Sequence, residues 1–211
     1  MAQNPDVTGR EILPIPDRPS KGKMALDARK AEFPAIKPLR PPEGAPNVVI
    51  VLIDDMGFGA PSVTGGPCNM PAMQKIHDDG LLYNRVHTTA LCSPTRQALL
   101  TGRNHHSAGM GSVAEVATGA PGNDSVRPNT VATVAEMLRL NGYSTAAVGK
   151  MHQTPEWEVS MSGPFDRWPT GDGFEKFYGF VGGETKHWAP TVYNGTTPVE
   201  PWGTADEGYH F

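Results

Sequence analysis

The chain has 211 residues, enough to bury a core and about the length of one domain or slightly more. Its 38% hydrophobic and 19% charged residues, with 24 Gly and 21 Pro, exclude a tightly helical protein and describe a loop-rich one in which irregular connections carry much of any site. A net charge of −4 excludes bulk attraction to nucleic acid or to an anionic membrane, so an anionic ligand has to be held by local positive groups.

The first eight residues, Met-Ala-Gln-Asn-Pro-Asp-Val-Thr, lack a basic segment followed by an apolar one, and the longest strongly apolar run is far too short to span a bilayer. The expectation is a soluble cytoplasmic protein with no membrane and no nucleic-acid partner. Only Cys68 and Cys92 occur, too few for a disulfide framework. The sequons at Asn123 and Asn194 carry no weight without a secretory signal.

Nine prolines in residues 1–46 argue against any long helix or central strand, and this stretch reads as an extended arm, lying along the domain or partly disordered. Residues 47–55, Asn-Val-Val-Ile-Val-Leu-Ile-Asp-Asp, form a continuous β-branched and aliphatic run with no alternation, which predicts a parallel strand buried on both faces. Asp54 and Asp55 then stand at its carboxyl end, where open α/β sheets bind ligands. Residues 70–79 predict a short helix with Met73 and Ile76 inward and Gly80 as its stop, and 81–86 a returning strand.

The most informative stretch is 92–103, Cys-Ser-Pro-Thr-Arg-Gln-Ala-Leu-Leu-Thr-Gly-Arg. Ser93 or Cys92 can cap a helix, Pro94 suits its first turn, and Gly102 ends it. Free N–H groups and the positive end of the helix dipole then lie beside the Cys92 thiol. Arg96, one turn on, can bring a guanidinium to the same point, making a site suited to a tetrahedral oxyanion.

Residues 130–140 carry an apolar stripe at Val131, Val134, Ala135 and Leu138 that predicts a helix stopped by Asn141-Gly142. Residues 143–148 predict the next buried strand, with Lys150 and His152 just past its end. In the aromatic-rich remainder, Asn194-Gly195 predicts a hairpin turn. Trp157, Trp168, Trp188 and Tyr193 could wall an apolar pocket or serve as packing anchors.

Three elements thus bring complementary chemistry together. Asp54 and Asp55 offer hard oxygens for calcium or magnesium, although two carboxylates do not complete a shell and Asp-Asp after a strand is also a common solvated turn. Arg96, Lys150 and His152 offer positive charge and hydrogen bonds to an anion, although Gly-Lys-x-His is also common as a plain loop. Asn104-His105-His106 follows the helix, but no spaced Cys/His set accompanies it, which disfavours zinc.

The defined positions Cys92, Pro94, Thr95, Arg96, Thr101, Gly102 and Arg103 resemble the signature of the type I sulfatases, Cys-x-Pro-Ser/Thr-Arg followed by x-x-x-x-Thr-Gly-Arg. Residues 173–180, Gly-Phe-Glu-Lys-Phe-Tyr-Gly-Phe, also resemble a segment of that family, and Met151 stands where many members have Trp. The resemblance implies an alkaline-phosphatase-like α/β fold, with a mostly parallel central sheet and helices on both faces, in which 1–46 is an arm and 47–211 the N-terminal part of the catalytic domain. The fold is expected to be incomplete, because the family's later Asp-Asn metal pair and its second pocket lysine and histidine would lie beyond residue 211.

The resemblance further implies hydrolysis of small-molecule sulfate esters, aryl sulfates foremost. Cys92 would be oxidised to formylglycine by a formylglycine-generating enzyme, and its hydrated aldehyde would be the nucleophile. Asp54, Asp55 and Cys92 would hold a divalent cation, calcium or else magnesium. Arg96 would stabilise the hydrate, and Lys150 and His152 would bind the sulfate and take part in catalysis. The alternatives are a phosphonate or phosphate ester hydrolase and a truncated, inactive metal-binding fragment; the sequence leaves the oligomeric state open.

Overall fold

In the computed structural model, residues 21–35 and 38–211 are described, so part of the expected Pro-rich arm lies outside the described residues. Contacts divide the chain between Leu39 and Arg40. Among the described residues of the first unit, the 3-10 turn Ala28–Lys30 is capped by the Asp27 carboxylate, which accepts from the Arg29 backbone N–H at 3.0 Å.

The second unit holds three helices and one four-stranded sheet. α1, Pro71–Asp79, starts with Pro71, whose missing N–H has no helical partner to lose. α2, Cys92–Thr101, ends at Gly102, whose φ of 64° lets its N–H return to the Ala98 carbonyl. α3, Val134–Arg139, is capped by Thr133, whose Oγ1 accepts from the Glu136 N–H at 3.1 Å. It is shorter than the predicted 130–140 because Thr133 takes the cap and Val131 is tied by a turn to Pro128.

The strands are β1, Ala146–Lys150; β2, Lys176–Phe180; β3, Val192–Asn194; and β4, Thr197–Val199, in the order β1-β2-β3-β4. β1 and β2 are parallel, with Val148 opposite Tyr178, whereas β2–β3 and β3–β4 are antiparallel. The α/β class holds, but the sheet is mixed rather than mostly parallel. The hairpin forms one residue later than predicted: Asn194 pairs with Thr197, so Gly195 and Thr196 make the turn. Pro198 sits in the terminal strand of the sheet, where its missing donor is tolerated.

The core lies where this sheet meets the loops that follow it. Met151, Trp168, Phe177, Val181 and Tyr193 are buried together, with Leu100, Ala147 and Phe174 packed against them. Trp168 meets Tyr193 edge to face at 4.7 Å and donates its indole N–H to the Glu158 carbonyl at 2.7 Å. Burial of such side chains contributes roughly 1.5–3 kcal/mol each.

Two predicted strands do not pair. Among the described residues, 47–53 and 81–86 form no ladder, the chain bends at 84–85, and Val48, Ile50, Leu81 and Val86 are exposed. Composition signals a chain suited to a ladder, but a strand exists only when a neighbour meets its donors and acceptors. Val48, Ile50, Leu52 and Asp54, alternate residues of one stretch, instead line a cavity of about 500 Å³ shared with β1, Leu99 and Leu138. Val148, expected inside a buried strand, is 78% exposed, and Ile76, expected inward on α1, is exposed as well. Among the described residues, no helix is long and apolar enough to cross a membrane.

Candidate active site

Helix α2 begins one residue earlier than a Cys92 cap requires and two earlier than a Ser93 cap. Leu91, extended at φ −130° and ψ 149°, is the capping position and makes no side-chain cap. Cys92 is therefore the first helical residue, and its backbone N–H belongs to the group left without helical acceptors. Ser93, fully buried, spends its hydroxyl elsewhere: Oγ accepts from the Ala114 N–H at 3.3 Å. That contact ties α2 to the 3-10 turn Ala114–Val116.

The buried face of α2 is polar, with Ser93, Arg96, Gln97 and Thr101 on it. Arg96 follows Cys92 by four residues and so lies on the same face. Its Nη1 donates to the Lys150 carbonyl at 2.6 Å and its Nη2 to Asp54 Oδ1 at 3.1 Å, while Nε is buried without a partner. Lys150, the last residue of β1, places Nζ 2.6 Å from Asp54 Oδ2. Burial alone would raise the Asp54 carboxyl, but the hydrogen bonds and charges of Lys150 and Arg96 outweigh it and hold the group below the usual carboxylate range.

Beyond β1 the chain turns sharply. His152 has φ 52°, in the left-handed region that non-glycine residues seldom enter, and its side chain is buried. The turn aims the imidazole across at α2, where Nδ1 stands 2.9 Å from Cys92 Sγ. On the far side of the ring, Nε2 lies 2.8 Å from each carboxylate oxygen of Glu115. Burial would raise Glu115, yet its contact with His152 holds it low. Gln153, next in the chain, is buried and donates to Asp172 Oδ2 at 3.0 Å; Asp172 also pairs with Arg127. Burial pushes Asp172 up to about 6, against the pull of Arg127 and Gln153.

Of the residues singled out in the sequence, Asp54, Cys92, Arg96, Lys150 and His152 are brought together. Asp55 is not: it is exposed, in a left-handed turn at φ 52°. Trp168 and Tyr193 are core residues, which settles them as packing anchors, whereas Trp157 and Trp188 are exposed. Glu115 was not recognisable in advance, since one acidic residue in a Gly- and Ala-rich loop carries no spacing signal.

A family profile described as Sulfatase matches residues 46–209. The chain belongs to the sulfatase family. Among curated proteins, this sulfatase is 32% identical to an arylsulfatase of Klebsiella aerogenes over 153 residues, 72% of this chain and 31% of that one. It is 29% identical to an uncharacterized sulfatase of Schizosaccharomyces pombe, over 74% of this chain and 28% of that one. It is 34% identical to human N-acetylgalactosamine-6-sulfatase, over 58% and 25%. The sulfatase chain thus spans less than a third of the length of these relatives. Its fold is like that in the crystal structure of Ps i-CgsB, with a TM-score of 0.51 and 21% identity, over 74% of this chain and 37% of that one.

The formylglycine that sulfatases imply fits position 92. Cys92 is a free, half-buried thiol, and its Sγ stands where a hydroxyl of the aldehyde hydrate would meet His152. The implied cation does not fit the donors as they are arranged. Both oxygens of Asp54 are taken by Arg96 and Lys150, Asp55 is exposed, and among the described residues no group of three or more His, Cys, Asp and Glu could hold a metal.

Proposed function

We propose that the chain carries the nucleophile end of a sulfuric ester hydrolase acting on small-molecule sulfate esters, aryl sulfates foremost, with Cys92 converted to formylglycine by a formylglycine-generating enzyme. The observation that carries this reading is that the signature helix meets the end of β1 twice, through Cys92 Sγ on His152 Nδ1 and through Arg96 on the Lys150 carbonyl.

Formylglycine, once formed at position 92, supplies a hydrated aldehyde as nucleophile and a release route that a thiol or a serine lacks. The protein groups around it divide the remaining work. His152 Nδ1 is the proton acceptor aimed at the side chain of residue 92. Lys150 and Arg96 supply positive charge for a tetrahedral anion, and Arg96 is held in a fixed orientation by the Lys150 carbonyl and Asp54. Asp54 keeps the two cationic side chains from repelling one another.

Mass spectrometry of the peptide containing Cys92, on protein produced with the modifying enzyme and assayed for aryl sulfate hydrolysis, tests the reading. Activity is expected to track the fraction of residue 92 in the aldehyde form. An active preparation whose residue 92 is wholly unmodified thiol would overturn it, and faster turnover of an aryl phosphonate than of the matching sulfate would move the assignment to that ester class.

A further inference from the structure

The sulfatase signature and the Gly-Lys-x-His loop leave out a group that the tertiary structure puts in direct contact with them. Glu115 sits on the turn Ala114–Val116, and both of its carboxylate oxygens lie 2.8 Å from His152 Nε2. We propose that Glu115 is the positioning residue for His152, fixing a proton on Nε2 so that the lone pair of Nδ1 faces the side chain of residue 92.

The argument is one of donors and acceptors. An ionised carboxylate can only accept, so the nitrogen facing Glu115 has to be the N–H donor, and in a neutral imidazole the other nitrogen is then the acceptor. That other nitrogen, Nδ1, faces Cys92 Sγ at 2.9 Å. The imidazole is buried, so the ring cannot turn over without disturbing its neighbours.

Glu115 is itself held. The Ala114 N–H is fastened to Ser93 Oγ inside the signature helix, so the carboxylate that orients His152 and the residue that His152 faces are tied to the same element. Gly183 closes the other side. A Cβ at Gly183 would collide with Glu115 Oε1 and stand 2.8 Å from His152 Nε2, so a side chain there has to displace the carboxylate.

The consequence for catalysis rests on the sulfatase reading; the tautomer does not. The test is therefore ¹⁵N NMR of the imidazoles of the full chain at neutral pH, with His152 assigned by loss of its signals in His152→Asn. To remove the thiol as a second determinant of the tautomer, the comparison is made in a Cys92→Ala background, with and without Glu115→Ala. His152 is expected as a single neutral Nε2–H tautomer with Glu115 present, and as a mixture of tautomers without it. Gly183→Ala, which displaces the carboxylate while keeping it in the chain, is expected to give the same mixture. In the formylglycine enzyme, Glu115→Ala is expected to lower kcat at least about tenfold with little change in KM, because a carboxylate that holds the tautomer of a buried imidazole acts on the chemical step rather than on binding.

A proton on Nδ1 or a doubly protonated ring in the Cys92→Ala chain, or a tautomer unchanged by both variants, would overturn the proposal. Absence of sulfate ester hydrolysis in the modified enzyme would overturn the sulfatase reading and leave the tautomer result standing.

Discussion

Cys92 Sγ stands 2.9 Å from His152 Nδ1 although sixty residues separate the two in the chain. This contact joins the start of α2 to the turn after β1, and Glu115 meets the far side of the same ring. His152→Asn removes the imidazole base while keeping a polar side chain. Aryl sulfate hydrolysis by the formylglycine enzyme is expected to fall about 10²–10⁴-fold. Steady-state kinetics on a nitrophenyl sulfate, with circular dichroism to confirm the fold, measures it; a loss under threefold would remove His152 from the chemistry.

Arg96 is bound at two points by one planar group, Nη1 on the Lys150 carbonyl and Nη2 on Asp54. A lysine keeps the charge but cannot make both contacts at once. Arg96→Lys is expected to cost about 1.5–3 kcal/mol of stability, the range for one hydrogen bond involving charge. Urea unfolding of the two chains checks this, and equal midpoints with equal slopes would show that charge alone is required.

Ser93 is completely buried, and its hydroxyl accepts from the Ala114 N–H at 3.3 Å. Ser93→Ala leaves that N–H unmatched, with a cost of about 1–3 kcal/mol. Hydrogen exchange read residue by residue is expected to show the Ala114 amide losing protection while the amides of β2 keep theirs. Unchanged protection at Ala114 would mean that the turn is held by other contacts.

Asp172 gives the stability a pH dependence of definite sign. Its carboxyl is raised from 3.8 to about 6 by burial. Between those values the native chain holds a proton there that the unfolded chain has released. Its contribution is therefore complete below about pH 3.8 and is lost as the pH rises through about 6, by up to about 3 kcal/mol. Asp172→Asn cannot titrate, so the stability of the wild type relative to this variant is expected to decline from pH 4 to pH 7. Urea unfolding of both chains at the two pH values measures the difference; a wild-type advantage that grows with pH would show the Arg127 pair to be the stronger influence.

Much of the site was legible in the sequence because its residues sit at element ends that leave local marks. Pro94 and Gly102 bracket α2, and the apolar run before Gly149 and Lys150 announces β1, although β1 begins three residues later than the pattern suggests. Residues 47–53 carried an equally strong mark and form no ladder, because apolar β-branched composition states what a strand would bury and not whether a neighbour meets its backbone.

By itself the sequence determined which chemical groups are present and near which helix or strand end each falls: a thiol four residues before a guanidinium on one helix, a lysine and a histidine two residues apart past one strand. Local spacing fixes such relations, since helical and extended backbones have known periods. Only the tertiary structure decided that Asp54 bridges Arg96 and Lys150 while Asp55 stays in solvent, and that Glu115 reaches His152 from the opposite side. Those relations depend on a left-handed turn at His152, on the close approach permitted by Gly183 and on a buried hydroxyl at Ser93. Each is a contact between segments distant in the chain, and no local propensity encodes it.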